Sequence, residues 1–241
     1  MSAVAGMSTL VSVYMWGVGL AVFGWFCLNT IVASLFLPAD VYNPYLKRIL
    51  RRLFQFLFIP VRVEGREGLD PGRPYLFMSN HVSLFDMPLL GGWGPGLLRS
   101  VEADRQFRWP LYGLAARRLG NIPIRRDDVF ASMRSLRKAL RKLEKRTSLI
   151  IMPEGTRTMD GRLRPFKRLP FLLAKQAGVD LVPVGMSGLF SLKSKRSWRI
   201  RPGPLKLKFG RVIPAAAVAR LSIEELRDLT RERIRALVQW P

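Results

Sequence analysis

The chain has 241 residues, with 40 Lys and Arg against 17 Asp and Glu, a formal net charge of +23. Hydrophobic residues at 49% are too many for a disordered basic tail. One cysteine, Cys27, excludes an intramolecular disulfide, a Cys-based zinc site and a CxxC redox pair, and the single histidine, His81, excludes His-rich metal centres and two-histidine mechanisms. The excess of positive charge calls for an anionic partner: nucleic acid, an acidic lipid surface or a phosphorylated small molecule.

Met1 to Ala39 contains no charged residue. As a helix this run would be roughly 58 Å long at about 1.5 Å per residue, against a hydrocarbon core of about 30 Å. It therefore either crosses a bilayer with ends to spare or turns back inside it. Gly17, Gly19 and Gly24 suit close helix packing or a bend, and Trp16 and Trp25 suit interfacial placement. No Lys or Arg precedes the apolar run and no short core with a cleavage site is visible, which argues against a cleaved signal. Lys47, Arg48, Arg51 and Arg52 follow at once, and by the positive-inside tendency they hold the rest of the chain in the cytoplasm, at the inner membrane in a bacterium. They share a helical pattern with Leu46, Ile49, Leu50, Leu53, Phe54 and Leu57, started by Pro44 and stopped by Pro60. Such a helix either lies on an anionic membrane surface or docks on a domain core. Residues 1–60 thus form a hydrophobic, membrane-associated helical segment with a basic amphipathic helix, and residues 61–241 the globular domain.

Within that domain, Tyr75 to Met78 reads as a buried strand, residues 84–92 as helix, 99–103 as strand and 107–119 as helix. Strands follow at 120–124, 148–152, 181–185 and 205–212, with helices at 129–145 and 166–178, the second ended by Gly178. The last helix starts at Ser222 with a Ser-Ile-Glu-Glu capping box, and Leu221 can staple Leu226. Alternating strands and helices predict an α/β sheet flanked by helices.

Four segments carry chemistry, each where a strand meets a loop. Asn80-His-Val-Ser-Leu-Phe-Asp86 holds the histidine and a carboxylate. On one continuous helix His81 and Asp86 would diverge by about 140°. They meet if His81 sits in the loop and Asp86 enters the next helix. A carboxylate on one imidazole nitrogen fixes the tautomer, freeing the other to take a proton from a hydroxyl. Taken alone, the pair equally suits a structural histidine. Gly120-Asn-Ile-Pro-Ile-Arg125-Arg126 ends in two guanidinium groups, suited to phosphate or to a surface ion-pair cluster with Asp127 and Asp128. Met152-Pro-Glu154-Gly155-Thr156-Arg157 offers a carboxylate, a flexible backbone, a hydroxyl and a guanidinium, or a plain turn. Leu181-Val-Pro183-Val184-Gly185 reads as a core strand.

In order and spacing these segments resemble the phosphate acyltransferase family typified by 1-acyl-glycerol-3-phosphate acyltransferases, which shows Asn-His-x4-Asp, Gly-x-Ile-x-Ile-x-Arg, Pro-Glu-Gly-Thr-Arg and Val-Pro-Val blocks. The resemblance runs from about Tyr75 to Val212. It implies a single glycerophosphate-acyltransferase-like domain with a mixed sheet. It implies His81 as general base, Asp86 as its orienting partner, and Arg126, Glu154, Gly155, Thr156 and Arg157 in acceptor binding. The implied reaction moves a fatty acyl group from acyl-CoA or acyl carrier protein to the hydroxyl of lysophosphatidate, giving phosphatidate in phospholipid biosynthesis, with no metal or cofactor. Other lyso-lipids, including aminoacyl lyso-lipids, are alternative acceptors. Three positions depart from the pattern: Ala103-Asp104-Arg105 stands where relatives carry Lys-x-Glu, Pro123 where an aromatic or aliphatic residue is common, and Leu169 where glycine is common. The first weakens the transfer of headgroup preference. A nucleic-acid partner is disfavoured, because the basic residues form no recognisable binding module and leave the uncharged run unexplained.

Overall fold

The protein is described by a computed structural model covering residues 2–125, 131, 133–135, 137, 140 and 147–239, with side chains from Met7 onward. Strand β2 (Tyr75–Ser79) has every residue buried, as a strand covered on both faces requires. It lies inside a seven-stranded sheet ordered β1-β7-β6-β2-β5-β3-β4. The others are β1 (Val61–Glu64), β3 (Leu97–Ala103), β4 (Ile122–Ile124), β5 (Thr147–Ile151), β6 (Asp180–Ser187) and β7 (Leu205–Phe209). Strand β7 runs antiparallel to β6 while the remaining pairs are parallel, so the sheet is mixed, as expected.

Alternation along the strands builds two cores. Phe77, Ile150, Val182 and Val184 point to one face, against Leu53 and Phe54 of α2 (Ala39–Phe56) and Leu89 and Leu90 of α3 (Asp86–Trp93). Leu76, Met78, Leu149 and Ile151 point to the other, against Phe171 and Leu173 of α5 (Leu169–Ala177) and Leu226 and Ile234 of α8 (Ile223–Leu237). The helices that follow β2 and β5 therefore leave on opposite faces. The carboxyl ends of two neighbouring strands whose helices part in this way are where open α/β sheets bind their ligands.

Several expected elements shift. The helix expected over 107–119 is a 3-10 turn (Asp104–Arg108) and α4 (Tyr112–Leu119), separated where Pro110 and a positive φ of 58° at Leu111 break the ladder. Helix α5 begins three residues late, with Pro170 in its first turn. Short elements went unread: β1, α6 (Leu189–Leu192) and α7 (Ala215–Arg220). The capping box at Ser222 forms as expected, with Ser222 Oγ accepting from Glu225 N and Glu225 Oε2 from Ser222 N. The helix expected over 129–145 falls largely outside the described residues.

Helix α1 (Ser2–Phe36) is continuous, about 52 Å long. Its glycines mark neither a bend nor a contact: a Cβ at Gly17, Gly19 or Gly24 would meet nothing within 4 Å. The helix lies along the domain. Ile200 N donates to Ser12 Oγ (3.1 Å), Trp16 Nε1 donates to Trp198 O (2.7 Å), and farther on Phe23 stacks on Tyr112 with ring centroids 5.4 Å apart. It buries Met15, Phe26 and Cys27, yet its outer side is apolar too, unlike that of a water-soluble helix. Ser12 and Thr30 are fully buried, whereas Leu10, Val13, Leu20, Trp25, Leu28, Val32, Leu35 and Phe36 are exposed.

Helix α2 starts at Ala39 rather than Pro44, which sits inside it. The missing proline N–H leaves the carbonyl of Asp40 without its helical donor, tolerable because Asp40 is exposed. The buried side carries Tyr42, Leu46, Ile49, Leu53 and Phe54, so the apolar face docks on the protein and is not free to enter a bilayer. Two of its four cations also turn inward. Lys47 Nζ donates to Gly94 O and Gly96 O (2.6 Å each), and Arg51 Nε to Gly92 O (2.7 Å), capping the carboxyl end of α3. Burial, with Arg66 and Arg51 adding to it, lowers Lys47 to about 8. Arg48 and Arg52 remain exposed.

Candidate active site

Strand β2 ends at Ser79, and Asn80 fixes the exit of the chain. Its amide pairs with the backbone of β6 like one more ladder rung: Nδ2 donates to Met186 O and Oδ1 accepts from Met186 N, both at 2.9 Å. His81 comes next, and Asp86 opens α3. The loop turns back so that His81 Nδ1 lies 2.7 Å from Asp86 Oδ2, the meeting their spacing requires. The same carboxylate accepts from Val82 N (2.8 Å) and Ser83 N (3.0 Å). Asp86 is fully buried and three donors hold it, so it cannot swing away. A carboxylate acceptor makes Nδ1 the protonated nitrogen. Nε2 then carries the lone pair, on a ring 19% exposed.

The loop after β5 clamps the histidine backbone from both sides. Glu154 Oε1 accepts from His81 N (2.6 Å), and Thr158 N donates to His81 O (2.9 Å). The other oxygen, Oε2, accepts from Arg164 N at 2.9 Å. Glu154, for which the resemblance implies acceptor binding, thus directs both oxygens at the backbone. Both oxygens are engaged by backbone N–H groups and the residue is 2% exposed, so it shapes the site from within. Burial pushes its carboxyl up to about 7, against the pull of those two N–H donors. Gly155 has φ +71°, which favours glycine, and its N–H closes the turn onto Met152 O (3.0 Å). Thr156 and Arg157 follow, both half-buried.

The guanidinium segment is only partly in view. Arg125 Nε lies 3.7 Å from Asp104 Oδ2, a surface ion pair, while Arg126 lies outside the described residues. Among the described residues, no group of His, Cys, Asp and Glu is arranged to hold a metal ion.

Reading the sequence missed three contributors. Asn80 stands in its motif with no task that the spacing assigns; Thr158 follows the Glu-Gly-Thr-Arg run and is fully buried; Lys193, whose carbonyl accepts from Ser83 Oγ (2.9 Å), lies more than a hundred residues from the histidine. Only Asn80 carried a signal, its place at the end of an apolar strand.

The Acyltransferase family model matches residues 60–187, a span that holds His81, Asp86 and the clamp around them. The chain belongs to the Acyltransferase family. A 1-acyl-sn-glycerol-3-phosphate acyltransferase of Limnanthes douglasii is 33% identical over 152 residues, 63% of this chain and 53% of that protein. A lyso-ornithine lipid O-acyltransferase of Pseudomonas aeruginosa is 36% identical over 155 residues, 63% of this chain and 58% of that one. The crystal structure of the 1-acyl-sn-glycerophosphate acyltransferase PlsC from Thermotoga maritima is 27% identical, with a TM-score of 0.79 over 96% of this chain and 95% of that one. The chain spans about half the length of the first curated relatives it matches. In this chain the imidazole nitrogen turned away from Asp86 is the one left without a carboxylate partner.

Proposed function

We propose that this acyltransferase transfers a fatty acyl group from an acyl thioester, of coenzyme A or an acyl carrier protein, to the free hydroxyl of lysophosphatidate, giving phosphatidate. The observation that carries the reading is the 2.7 Å contact between His81 Nδ1 and Asp86 Oδ2, which leaves Nε2 as the base. The acceptor hydroxyl donates to Nε2, its oxygen attacks the thioester carbonyl carbon, and the proton passes to the imidazole. Asp86 stabilises the imidazolium so formed. Collapse of the tetrahedral intermediate breaks the carbon–sulfur bond, and Nε2 returns the proton to the departing thiolate. A thioester is already activated, so proton removal and positioning suffice without a metal or cofactor. Gly155, Thr156 and Arg157 belong to the loop bonded to the His81 backbone through Glu154 and Thr158, and in this reading Arg157 offers a guanidinium to the acceptor phosphate.

The apolar outer side of α1 supports a site at the membrane. A helix that buries serine and threonine while exposing leucine suits lipid on its outer side. It is held to the domain from Ser12 to Cys27, about 22 Å of its length, which supports a helix lying in one leaflet rather than crossing. Arg48 and Arg52, with Lys195, Arg196 and Arg201 of the loop that grips α1, are exposed cations for anionic headgroups on the cytoplasmic side.

The test is thiol release by detergent-purified protein against a panel of lyso-lipids, with both donor types. Lysophosphatidate should be the best acceptor; no activity on it beside good activity on another lyso-lipid overturns the assignment. The 36% identity to the lyso-ornithine lipid enzyme supports an aminoacyl lyso-lipid as the second reading, separable in the same panel.

A further inference from the structure

A cavity of about 340 Å³ lies at the carboxyl ends of β2 and β6. Asn80 and Val82, the chain neighbours of His81 on either side, both line it, so its inner end adjoins the His81 loop. Met186 and Phe190 supply apolar wall, and Ser187 and Ser191 put hydroxyl groups along it. Its size is at the low end for small-ligand sites, which run from about 300 to 1,000 Å³. Such a space suits a slender chain rather than a nucleotide together with a fatty tail.

The outer end is cationic. Arg62 on β1 and Lys206 on β7 line it, and they are register partners in the parallel pairing of the two strands. Like charges side by side across strands repel. Glu64 is the carboxylate that offsets them, at 2.9 Å from Arg62 and 3.9 Å from Lys206, but it also pairs with Lys208 at 3.2 Å. Three cations therefore share one carboxylate among the described residues, and an anion at the mouth would relieve the surplus.

Alternation along the strands sets the direction of that mouth. Val61, Val63, Leu205 and Leu207 turn into the core shared with Met15 of α1, Leu53 of α2 and Leu89 of α3, so Arg62 and Lys206 project from the opposite face. The apolar outer side of α1 and the cationic mouth thus belong to opposite sides of the sheet. A lipid acceptor approaching past α1 leaves the cavity to the other, water-soluble substrate. Thioesters of coenzyme A and of an acyl carrier protein share one structure, the 4′-phosphopantetheine arm, a narrow amide-containing chain with a phosphate at one end and the acylated sulfur at the other.

We propose that this cavity holds the phosphopantetheine arm of the acyl donor, with Arg62 and Lys206 at its phosphate and its thioester end toward the His81 loop. The proposal rests on the acyl-transfer reading for its ligand, and on the cavity and its cations for its place. The test compares the full chain in detergent as wild type, as the double variant Arg62→Gln with Lys206→Gln, and as Ser191→Trp, which plugs the cavity from an exposed position. Each is measured for KM toward lysophosphatidate, an acyl-CoA and an acyl carrier protein thioester, and for thermal stabilisation by 4′-phosphopantetheine and by pantetheine at constant ionic strength. The double variant should raise the donor KM by about tenfold to a hundredfold, as expected for lost charge-assisted bonds, with kcat and acceptor KM within about twofold. It should lose most stabilisation by 4′-phosphopantetheine and keep that by pantetheine, which has no phosphate, whereas Ser191→Trp should lose both. Unchanged donor KM and stabilisation in both variants overturn the site, and a rise confined to the acceptor KM overturns its assignment to the donor. A donor KM rise with phosphopantetheine stabilisation unchanged overturns the arm: for the coenzyme A thioester it puts the nucleotide phosphates at the cations, for the carrier protein its acidic surface. If the double variant does not fold, Ser191→Trp must show the donor-specific rise or the proposal fails. Phosphopantetheine stabilisation that depends on Arg62 and Lys206 in a protein inactive on lysophosphatidate would overturn the acceptor reading and leave this site standing.

Discussion

Among the described residues the His81 ring bonds one side chain, Asp86, and that economy gives the imidazole its direction. With Nδ1 committed to Asp86, substitution at either residue has a defined consequence. His81→Ala removes the base and should lower acyl transfer by about a thousandfold while leaving vesicle binding intact. Asp86→Asn keeps the shape but exchanges one oxygen for an amide donor facing backbone N–H groups, so kcat should fall about a hundredfold or more; turnover within a few-fold of wild type in a thiol-release assay would remove Asp86 from the mechanism. Glu154 acts through the backbone instead. Its folded carboxyl titrates near 7 against an ordinary 4.5, so between those values the folded chain holds a proton that the unfolded chain has lost. That contribution to stability is complete below about pH 4.5 and is lost as pH rises to about 7. Glu154→Gln removes the titration, so its Tm relative to wild type should climb across this window, and a pH-independent difference would contradict the assignment. The variant also sets an amide donor against one of two N–H groups, and a loosened loop should cost roughly tenfold to a hundredfold in kcat with acceptor KM nearly unchanged. The His–Asp pair was legible because one histidine and a near acid leave few pairings. The inward turn of Glu154 was not, because sequence lists donors and acceptors without saying which the backbone has already claimed.

At the scale of elements, pattern and punctuation carried most of the domain. Buried strands such as Tyr75–Ser79 are apolar throughout, and the capping box at Ser222 marks its helix without tertiary help. What failed was short or set by contact. Strand β1 has only four residues, and Val61 to Glu64 becomes a strand because β7 pairs with it. Lys47 and Arg51 look like a solvated face until α3 presents carbonyls to them. Gly185 is the sharpest case of contact deciding a residue. A Cβ there would lie 2.5 Å from Leu237 Cβ and 2.9 Å from that residue's backbone carbonyl carbon, so the end of α8 rests directly on β6. Gly185→Ala should push the helix off the sheet at a cost of about 2 kcal/mol. For a domain of this size that is a fall of roughly 4–8 °C in Tm, measurable by scanning calorimetry. An unchanged Tm would mean that the helix end yields freely.

For the whole molecule the open choice in the sequence was whether Met1 to Ala39 crosses a bilayer or stays on one side, and composition could not decide because both fates need the same apolar run. Docking of α1 on the domain supports the one-sided reading proposed above. Withdrawing α1 to span would break the Ser12 and Trp16 bonds to the loop at Trp198 and Ile200, and the packing of Phe26 and Cys27 near Ala115, and would expose buried Ser12 and Thr30 to hydrocarbon. Under the one-leaflet placement proposed above, Leu20, Leu28 and Val32, exposed on the docked helix, would face the acyl chains. Single cysteines at Met7, Ala39 and Lys195, in a Cys27→Ser background, should then all react with a membrane-impermeant maleimide from the same side of sealed vesicles. Crossing would put Met7 on the side opposite Ala39 and Lys195. The proposed placement in one leaflet would have a catalytic consequence, since a lyso-lipid would not have to leave the bilayer to bring its hydroxyl to His81 Nε2. Leu20→Ser with Leu28→Ser should therefore raise the apparent acceptor KM in vesicles while leaving activity on detergent-dispersed lysophosphatidate within about twofold, a split that damage to the imidazole loop would not produce.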